Sequence, residues 1–341
     1  MKKWHAVVFI AVLLITSIPL SAEVLTTLTG VLNPQGLAMD DSRFYVTEGP
    51  QVFIYSREDY SLIKKFGKEG NGPQEFSTAG GQIPVFVIPH PDRLQVNSLN
   101  RISFFSKDGN FLEMIKATAG VNFVFRPVLP DFYVARGVAQ EEGVAYNTID
   151  LFDQDLKKVK ELIRIKRGVQ RSGPIKIFSD RLTFATFEDR IFIQSAEEFT
   201  ITVLDNQGKM LYEVKKTDYD RLKFTDDFKN ELWETLEKDP RQRAFVPVLK
   251  QRAQFPSHLP AIAAMIVADD FLYTITWKHD QGRFECFVFD AGSGREIKKT
   301  LIPFERPSPL AAYPSDVKNG ILYQLVENQD EEWELTAVKL N

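Results

Sequence analysis

The chain has 341 residues, of which 42 are Lys or Arg and 46 are Asp or Glu, so its formal net charge is −4. This mild acidity argues against a nucleic-acid partner, which normally requires a basic surface stripe. The only cysteine, Cys286, excludes an intrachain disulfide. We expect it to be a small buried side chain rather than a reactive thiol.

The first 22 residues have the pattern of an export signal. Lys2 and Lys3 precede the apolar run Ala6–Ile18, which is short for a bilayer span, and small residues follow at Ser21-Ala22. We predict residues 1–22 to be a signal peptide and the protein to be exported, either periplasmic or extracellular. The alternative is a retained N-terminal anchor. No second apolar run of spanning length follows, so we expect no membrane span after signal removal.

A recurring two-strand pattern organises the rest of the chain. It joins a β-branched and aromatic run, a polar turn and a second apolar run, and it occurs at Val52–Phe66, Ile102–Ile115, Thr148–Leu162, Ile201–Val214 and Cys286–Leu301. The last residues before the turns are 50, 47, 52 and 85 positions apart, and a partial sixth copy lies at the C-terminus. A short apolar strand precedes each copy, near Arg43, Arg93, Phe132, Arg190, Phe271 and Ile321.

These alternating signals predict an all-β protein. A period near 50 with about four strands per unit is typical of propeller blades, so we predict a six-bladed β-propeller over residues 23–341. The sixth copy lacks an outer strand. We expect the lone strand at Glu23–Gly30 to supply it, which closes the ring and removes an exposed sheet edge.

The spacing of 85 reflects about 35 extra residues between blades 4 and 5. We predict a short helical insertion at about 218–258, in which Thr225 caps a helix with the apolar stripe Phe228, Leu232 and Leu236. We expect this stripe to pack on the propeller. The following segment is basic and broken at Pro247, and it either packs as well or forms a basic lip for an acidic partner.

The sequence "FGKEGNGPQEF" at Phe66–Phe76 resembles the glycine-rich linker between blades of NHL-type propellers, with Gln74 in place of one glycine. A fainter copy lies at Gly168–Phe178, and "FPSHLPAI" at Phe255–Ile262 is similar to the same group. The mature chain thus resembles exported bacterial six-bladed propellers of the NHL-repeat-like (TolB-like) type. The resemblance implies the fold and almost nothing about activity, because related propellers include lyases, lactonases and binding modules.

Common catalytic motifs find little support in this sequence. The glycine-rich linker lacks the Lys-Ser/Thr ending and the following helix of a phosphate-binding loop. No Gly-x-Ser-x-Gly sequence is present, and His90, His258 and His279 lack metal-ligand spacing. We therefore expect no cofactor and no bound metal, and calcium held by loop oxygens is left open as an alternative.

A metal on the propeller axis is the main enzymatic alternative, since gluconolactonase-like and amidating-lyase-like propellers hold metals with polar side chains of their inner strands. Here the six inner-strand segments are almost wholly apolar; they lie near Gly36–Met39, Val85–Ile88, Phe123–Leu129, Leu182–Thr186, Ile262–Val267 and Ala311–Ser315. Arg126 is the only charge in them and would repel a cation. The alternative function is a metal-dependent lyase or lactonase/hydrolase with its site at the central channel mouth.

The expected working surface is the loop face, which we define as the end that carries the blade-to-blade linkers and the loops between second and third strands. Positions just past the second strands are predicted to ring the channel mouth there. The candidate ligand-binding residues are Glu48, Asn97, Arg101, Arg126, Arg136, Gln194, Trp277, His279 and Glu327. We predict an exported, non-enzymatic binding or scaffold module that recognises a protein, peptide or glycan of the cell envelope. For any single residue the alternative is a solvated loop side chain.

Overall fold

The structure, a computed structural model, describes residues 22–79, 83–118, 120–168, 173–195, 197–239, 242–308 and 312–340. The predicted signal peptide lies outside the described residues, apart from Ala22. In the described ranges the chain forms six four-stranded antiparallel sheets, two two-stranded sheets and two α-helices. No helix in these ranges is both long and apolar enough to cross a bilayer.

The first half of the chain forms three blades after an N-terminal strand, β1 (Glu23–Leu28). Blade 1 contains β2 (Gly36–Met39), β3 (Arg43–Glu48), β4 (Gln51–Ser56) and β5 (Leu62–Phe66). The short strands β6 (Lys68–Glu69) and β7 (Glu75–Phe76) pair within the next linker. Blade 2 contains β8 (Phe86–Pro89), β9 (Arg93–Ser98), β10 (Arg101–Ser106) and β11 (Phe111–Lys116). Blade 3 contains β12 (Val121–Val128), β13 (Phe132–Glu141), β14 (Val144–Phe152) and β15 (Lys158–Lys166).

The second half adds three blades and the insertion. After β16 (Ile175–Lys176), blade 4 contains β17 (Thr183–Phe187), β18 (Arg190–Gln194), β19 (Thr200–Asp205) and β20 (Met210–Lys215). The insertion contains α1 (Asp226–Lys238), a 3-10 turn (Arg243–Phe245), α2 (Val246–Arg252) and β21 (Ala253–Gln254). Blade 5 contains β22 (Ile262–Ala268), β23 (Phe271–Asp280), β24 (Arg283–Asp290) and β25 (Glu296–Pro303). Blade 6 contains β26 (Ser315–Lys318), β27 (Ile321–Glu327) and β28 (Trp333–Lys339).

The blades form a closed ring, which confirms the predicted six-bladed propeller. The inner strands of blades 1 and 2 contact each other, β12 contacts both β9 and β17, and β22 contacts β17 and β26. The contact between β26 and β2 completes the circle. The inner strands therefore surround one central channel.

The apolar core lies between the blades. One buried cluster joins each neighbouring pair of blades around the ring. The middle strands are buried on both faces; the first five residues of β10, for example, are all buried. These strands read as continuous apolar runs because another blade covers each face. Cys286 belongs to this core, and burial raises the pKa of its thiol to about 12.

Strand β1 is the outer strand of blade 6, as the sequence predicts. It pairs with β28 in antiparallel register, with Leu28 opposite Trp333. The indole Nε1–H of Trp333 donates to the carbonyl of Leu32, just beyond β1, at 3.1 Å. The two ends of the propeller are thus joined in one sheet.

The glycine-rich linker is a compact chain reversal. Gly67 has φ +96°, and a Cβ there would lie 2.6 Å from the ring of Phe76. Glycine is required because other residues disfavour this backbone region and would collide with the ring. The linker follows blade 1 and leads into the inner strand of blade 2.

The insertion has the predicted helix, with one difference in its second half. Thr225 caps α1 by accepting from the backbone N–H of Phe228 at 3.2 Å, and Leu232 is buried beneath the helix. Pro247 does not break the basic segment, because it lies in the first turn of α2. Proline is tolerated there since the first backbone N–H groups of a helix have no intrahelical acceptor. Lys250 of α2 pairs with Glu237 of α1 at 2.6 Å.

The inner strand of blade 6 lies further along the chain than predicted. The prediction placed it at Ala311–Ser315, whereas β26 begins at Ser315 and contains Asp316. The apolar residues before Pro314 led to a predicted strand that begins too early in the sequence. Proline has no backbone N–H and therefore cannot donate to the hydrogen-bond ladder between strands. Two further charged residues, Asp316 and Lys318, therefore lie in the inner strands together with Arg126.

We expect Leu28→Ala to lower the free energy of unfolding by about 2–5 kcal/mol, because it opens a cavity in the cluster that joins blades 6 and 1. Val24→Ala is the matched control: the side chain of Val24 lies on the same strand but is 52% exposed, so its loss should cost less than about 0.5 kcal/mol. Urea denaturation of both variants measures the difference. Equal costs would mean that β1 does not contribute to the core.

Candidate functional site

Four of the blades place a polar residue at one equivalent position on the loop face. It is the fifth residue of the second strand, paired with the inner strand of the same blade, and the four residues are Thr47, Asn97, Arg136 and Gln194. Blades 5 and 6 have Ile275 and Leu325 as the fifth residues of β23 and β27. The polar positions therefore do not form a complete ring.

Two predicted members of that ring lie at other positions. Glu48 is one residue past the equivalent position, and its Oε1 accepts from the backbone N–H groups of Leu32 and Asn33 at 2.9 and 2.5 Å. Glu327 is the exposed last residue of β27. Successive strand residues face opposite sides, so the side chain of Glu48 lies on the other side of β3 from that of Thr47. Whether Glu48 and Glu327 contribute to a ring at the channel mouth stays a prediction.

Asn97 and Gln194 occupy the equivalent position but are only 1% exposed. The Nδ2 of Asn97 and both amide atoms of Gln194 are buried without a hydrogen-bond partner among the described residues. These side chains lie inside their blades, and neither lines a described cavity. Whether they contribute to ligand binding stays a prediction.

Arg101 holds the glycine-rich linker in place. Only 2% of the residue is exposed. Its guanidinium donates from Nε to the hydroxyl of Ser98 at 3.0 Å and from Nη2 to the carbonyl of Gly70 at 2.9 Å. It also donates to the carbonyl of Glu75. Burial lowers the pKa of the guanidinium, while the carboxylates of Glu75 and Glu69 act in the opposite direction. The contacts describe a structural role for this candidate.

The structure brings Arg126 and Arg136 together in one cavity at the channel mouth. This mouth cavity has a volume of about 700 Å³ and lies between blades 2, 3 and 4. Its walls are mainly apolar, and Asn147 and Arg167 also contribute. No carboxylate is among the described residues that line it. The volume falls within the usual range of small-molecule sites.

A bulge in β12 sets the direction of Arg126. The pairing of β12 with β13 is irregular between Phe123 and Arg126, and Val124 within the bulge has φ +51°. A β-branched residue is strained in this region, and bulges commonly redirect a side chain next to a functional site. Arg126 lines both the mouth cavity and a second cavity beneath it.

The surroundings of Arg126 and Arg136 in the mouth cavity shift the pKa values of both side chains. Burial lowers the pKa of Arg126, and among the described residues the charge of Asp316 acts in the opposite direction. Desolvation also lowers the pKa of Arg136; the carboxylate of Asp180 acts against this, and the neighbouring cation Arg167 adds to it. By accessible surface Arg126 is half-buried and Arg136 is exposed. A guanidinium favours a carboxylate or phosphate partner because its donors form a planar fork.

The second cavity lies on the axis and contains Asp316. This axial cavity has a volume of about 340 Å³ and shares Phe86, Val124 and Arg126 with the mouth cavity. The two oxygens of Asp316 accept from the backbone N–H groups of Met39 at 2.7 Å and Val317 at 2.8 Å. Burial nevertheless raises the pKa of Asp316 to about 6, although these hydrogen bonds and the Arg126 cation lower it.

Trp277 and His279 lie apart from this pair, in a third cavity. This insertion cavity has a volume of about 690 Å³ and lies between α1, the loop-face end of the β23–β24 hairpin and the linker from blade 5 to blade 6. The ring of Phe228 meets Trp277 edge-on at 5.7 Å, so α1 packs on the propeller as predicted. The basic residues of α2 do not line this cavity.

Sequence reasoning missed Arg167, Asp316 and Arg306. Arg167 directly follows β15 at the start of a linker. Its position at the loop-face end of a strand is the sequence feature that could have identified it as a candidate site residue. Asp316 was missed because its strand was placed too early. Arg306 lies in the linker after blade 5, with its guanidinium 4.3 Å from the centre of the Trp277 ring. That contact joins a strand of blade 5 to the linker that follows the blade, and it has no local sequence signal.

The described residues contain no group of three or more His, Cys, Asp or Glu side chains that could hold a metal ion. The axial cavity offers only Asp316 as a carboxylate, beside a cation. The calcium alternative thus has no supporting ligand set in the described part of the chain.

Comparisons with known proteins give structural similarities at low sequence identity and no family. No family model matches the chain, and no curated protein matches it in sequence. Among solved structures it is similar to a luciferin-regenerating enzyme, with 10% identity over 94% of this chain and 95% of that chain and a TM-score of 0.47. It is also similar to a member of the duf4221 family from Bacteroides vulgatus, with 12% identity over 94% and 98% of the chains and a TM-score of 0.49. The resemblance to NHL-repeat-like propellers stays a prediction.

The pKa of Asp316 predicts a pH-dependent stability. Since its pKa rises from 3.8 to about 6 on folding, the protonated form favours the folded state, and this contribution is lost as the pH rises from about 4 to above 6. The loss amounts to about 2–3 kcal/mol, at 1.36 kcal/mol per pKa unit. Asp316→Asn should remove this dependence, whereas Glu58→Gln at an exposed turn should retain it. Urea denaturation at pH 4 to 7 measures both, and an unchanged profile in Asp316→Asn would contradict the assignment.

The contacts of Arg101 predict a stability effect without a binding effect. Arg101→Met keeps the apolar stem but leaves the linker carbonyls unpaired, so we expect a loss of about 1–3 kcal/mol in the free energy of unfolding. Lys116→Met, on the strand residue paired with Arg101 but exposed, should cost less than about 0.5 kcal/mol. A folded Arg101→Met variant that lost ligand binding at unchanged stability would instead support a direct role.

Proposed function

We propose that this protein is a non-enzymatic binding module whose mouth cavity takes the carboxylate of an organic ligand with an apolar body. The observation that carries the proposal is the pairing of Arg126 and Arg136 in an apolar cavity without a lining carboxylate. An anion entering the cavity would supply the charge and the hydrogen-bond acceptors that the protein provides only in part.

The chemistry of the walls defines the ligand class further. Phe86, Val121, Val138, Leu182 and Phe184 supply apolar surface on several sides of the cavity. An apolar ligand body would gain from leaving water, and the guanidinium forks would fix the orientation of its carboxylate. This arrangement favours a monocarboxylate with a hydrocarbon or aromatic part over a highly charged phosphate compound.

The cellular setting belongs to the same proposal. The basic and apolar N-terminal segment supports export to the periplasm or the cell exterior. A protein, peptide or glycan of the cell envelope could present the carboxylate, since each of these can carry one. The metal-dependent lyase or lactonase alternative receives no support from the side chains of the described channel.

The test compares carboxylates with their uncharged amides. We expect isothermal titration calorimetry to show binding of octanoate or phenylacetate and little binding of octanamide or phenylacetamide. Arg136→Gln should weaken carboxylate binding at least about tenfold, because a hydrogen bond to a charged group contributes about 1.5–3 kcal/mol. Arg126→Gln should weaken it as well, and added salt should reduce the affinity of the native chain.

Arg295→Gln is the matched control, because it removes an exposed arginine from a turn on the opposite face of blade 5. It should bind carboxylates like the native chain. Equal binding of amide and acid, full affinity in Arg136→Gln, or no binding of any of these carboxylates at millimolar concentration would contradict the proposal.

A further inference from the structure

The insertion cavity differs in character from the mouth cavity. Its lining combines aromatic and aliphatic side chains with charges of both signs, including Asp220, Glu231, Lys223 and Arg306. A cavity with opposing charges gives no general preference for an anion. Its ligand should therefore be recognised by shape and by uncharged hydrogen-bonding groups.

Trp277 lines this cavity and carries an unpaired donor. The residue is only 6% exposed, and its indole Nε1–H has no hydrogen-bond partner among the described residues. The ring itself is fixed by Phe228 at 5.7 Å and by Phe178 at 6.2 Å between ring centres. Buried indole N–H groups usually have an acceptor, because an unpaired buried donor lowers stability. A bound ligand could provide the missing acceptor.

His279 supplies a complementary acceptor. Its Nδ1 lies 3.2 Å from the carbonyl oxygen of Trp277, and its ring stacks on Phe284 at 5.2 Å. When Nδ1–H donates to that carbonyl, the neutral ring keeps Nε2 as an acceptor. Trp277 and His279, which both line the cavity, thus carry one donor and one acceptor next to apolar side chains. A peptide group offers the matching carbonyl oxygen and N–H.

We propose that the insertion cavity is a second binding site, which takes a peptide segment with an apolar side chain. The side chain packs among Phe228, Leu259 and Phe284, and a backbone carbonyl of the peptide accepts a hydrogen bond from Trp277 Nε1–H. The volume of about 690 Å³ accommodates a few residues of an extended peptide. This site is separate from the carboxylate site at the channel mouth and uses different blades.

The probe is N-acetyl-L-phenylalaninamide, which combines an aromatic side chain with peptide groups and has no charge. We expect titration calorimetry to show that Trp277→Phe weakens its binding by about three- to tenfold, as expected for loss of one neutral hydrogen bond. Trp233→Phe is the matched control, because Trp233 lies on α1 and does not line the cavity. Ethylbenzene, which lacks the peptide group, should bind the native chain and Trp277→Phe alike.

A second measurement does not depend on a variant that could be less stable. The indole N–H resonance of Trp277, assigned by its disappearance in Trp277→Phe, should move on addition of the probe to the ¹⁵N-labelled native protein. The resonances of Trp233 and Trp333 should stay in place. A Trp277 resonance that does not move, or equal probe affinity in the native chain and Trp277→Phe, would overturn the proposal. Carboxylate binding at the mouth should be unchanged in Trp277→Phe, so the two proposals fail separately.

Discussion

The structure depends on the burial of both faces of every blade. A four-stranded sheet with two apolar faces is not stable alone in water, because each face needs another apolar surface to cover it. Each blade here obtains that cover from its two neighbours, through one buried cluster at each junction. The requirement can be met for all blades only if the ring closes, and β1 closes it by completing the sheet of blade 6.

The same constraint separates structure from function in this molecule. Most side chains of the second and third strands pack against neighbouring blades, so few of them are available to bind a ligand. Polar residues within them, such as Asn97 and Gln194, are enclosed between neighbouring blades. Many of the groups that reach the insertion cavity come from linkers and strand ends on the loop face. In blade 3, Arg136 and Asn147 reach the mouth cavity from the long second and third strands, and a bulge in the inner strand directs Arg126 into the channel.

The channel and the insertion give the loop face two chemically different cavities. The mouth cavity has arginines and apolar walls, while the insertion cavity has aromatic rings and charges of both signs. Trp277 lines the insertion cavity, with the guanidinium of Arg181 at 5.8 Å and that of Arg306 at 4.3 Å from its ring centre. Burial, followed by the positive charge of Arg181, lowers the pKa of Arg306 to about 10. The helical insertion thus supplies one wall of a second cavity on the loop face of the propeller.

Periodicity in the sequence was sufficient to predict the number of blades, the closing strand and the capped helix of the insertion. These features depend on local alternation and on a repeat length near 50, both of which are visible without tertiary contacts. The candidate site was less predictable from the sequence. Arg126 and Arg136 line the same cavity, but Glu48 lies one residue past the fifth position of its strand, and Arg101 holds a linker between blades. Side-chain direction in a strand reverses with every residue, and bulges change it again. Only the closed tertiary structure decided which charges share a cavity, because Arg126 and Asp316 are brought together by the meeting of distant blades around one axis.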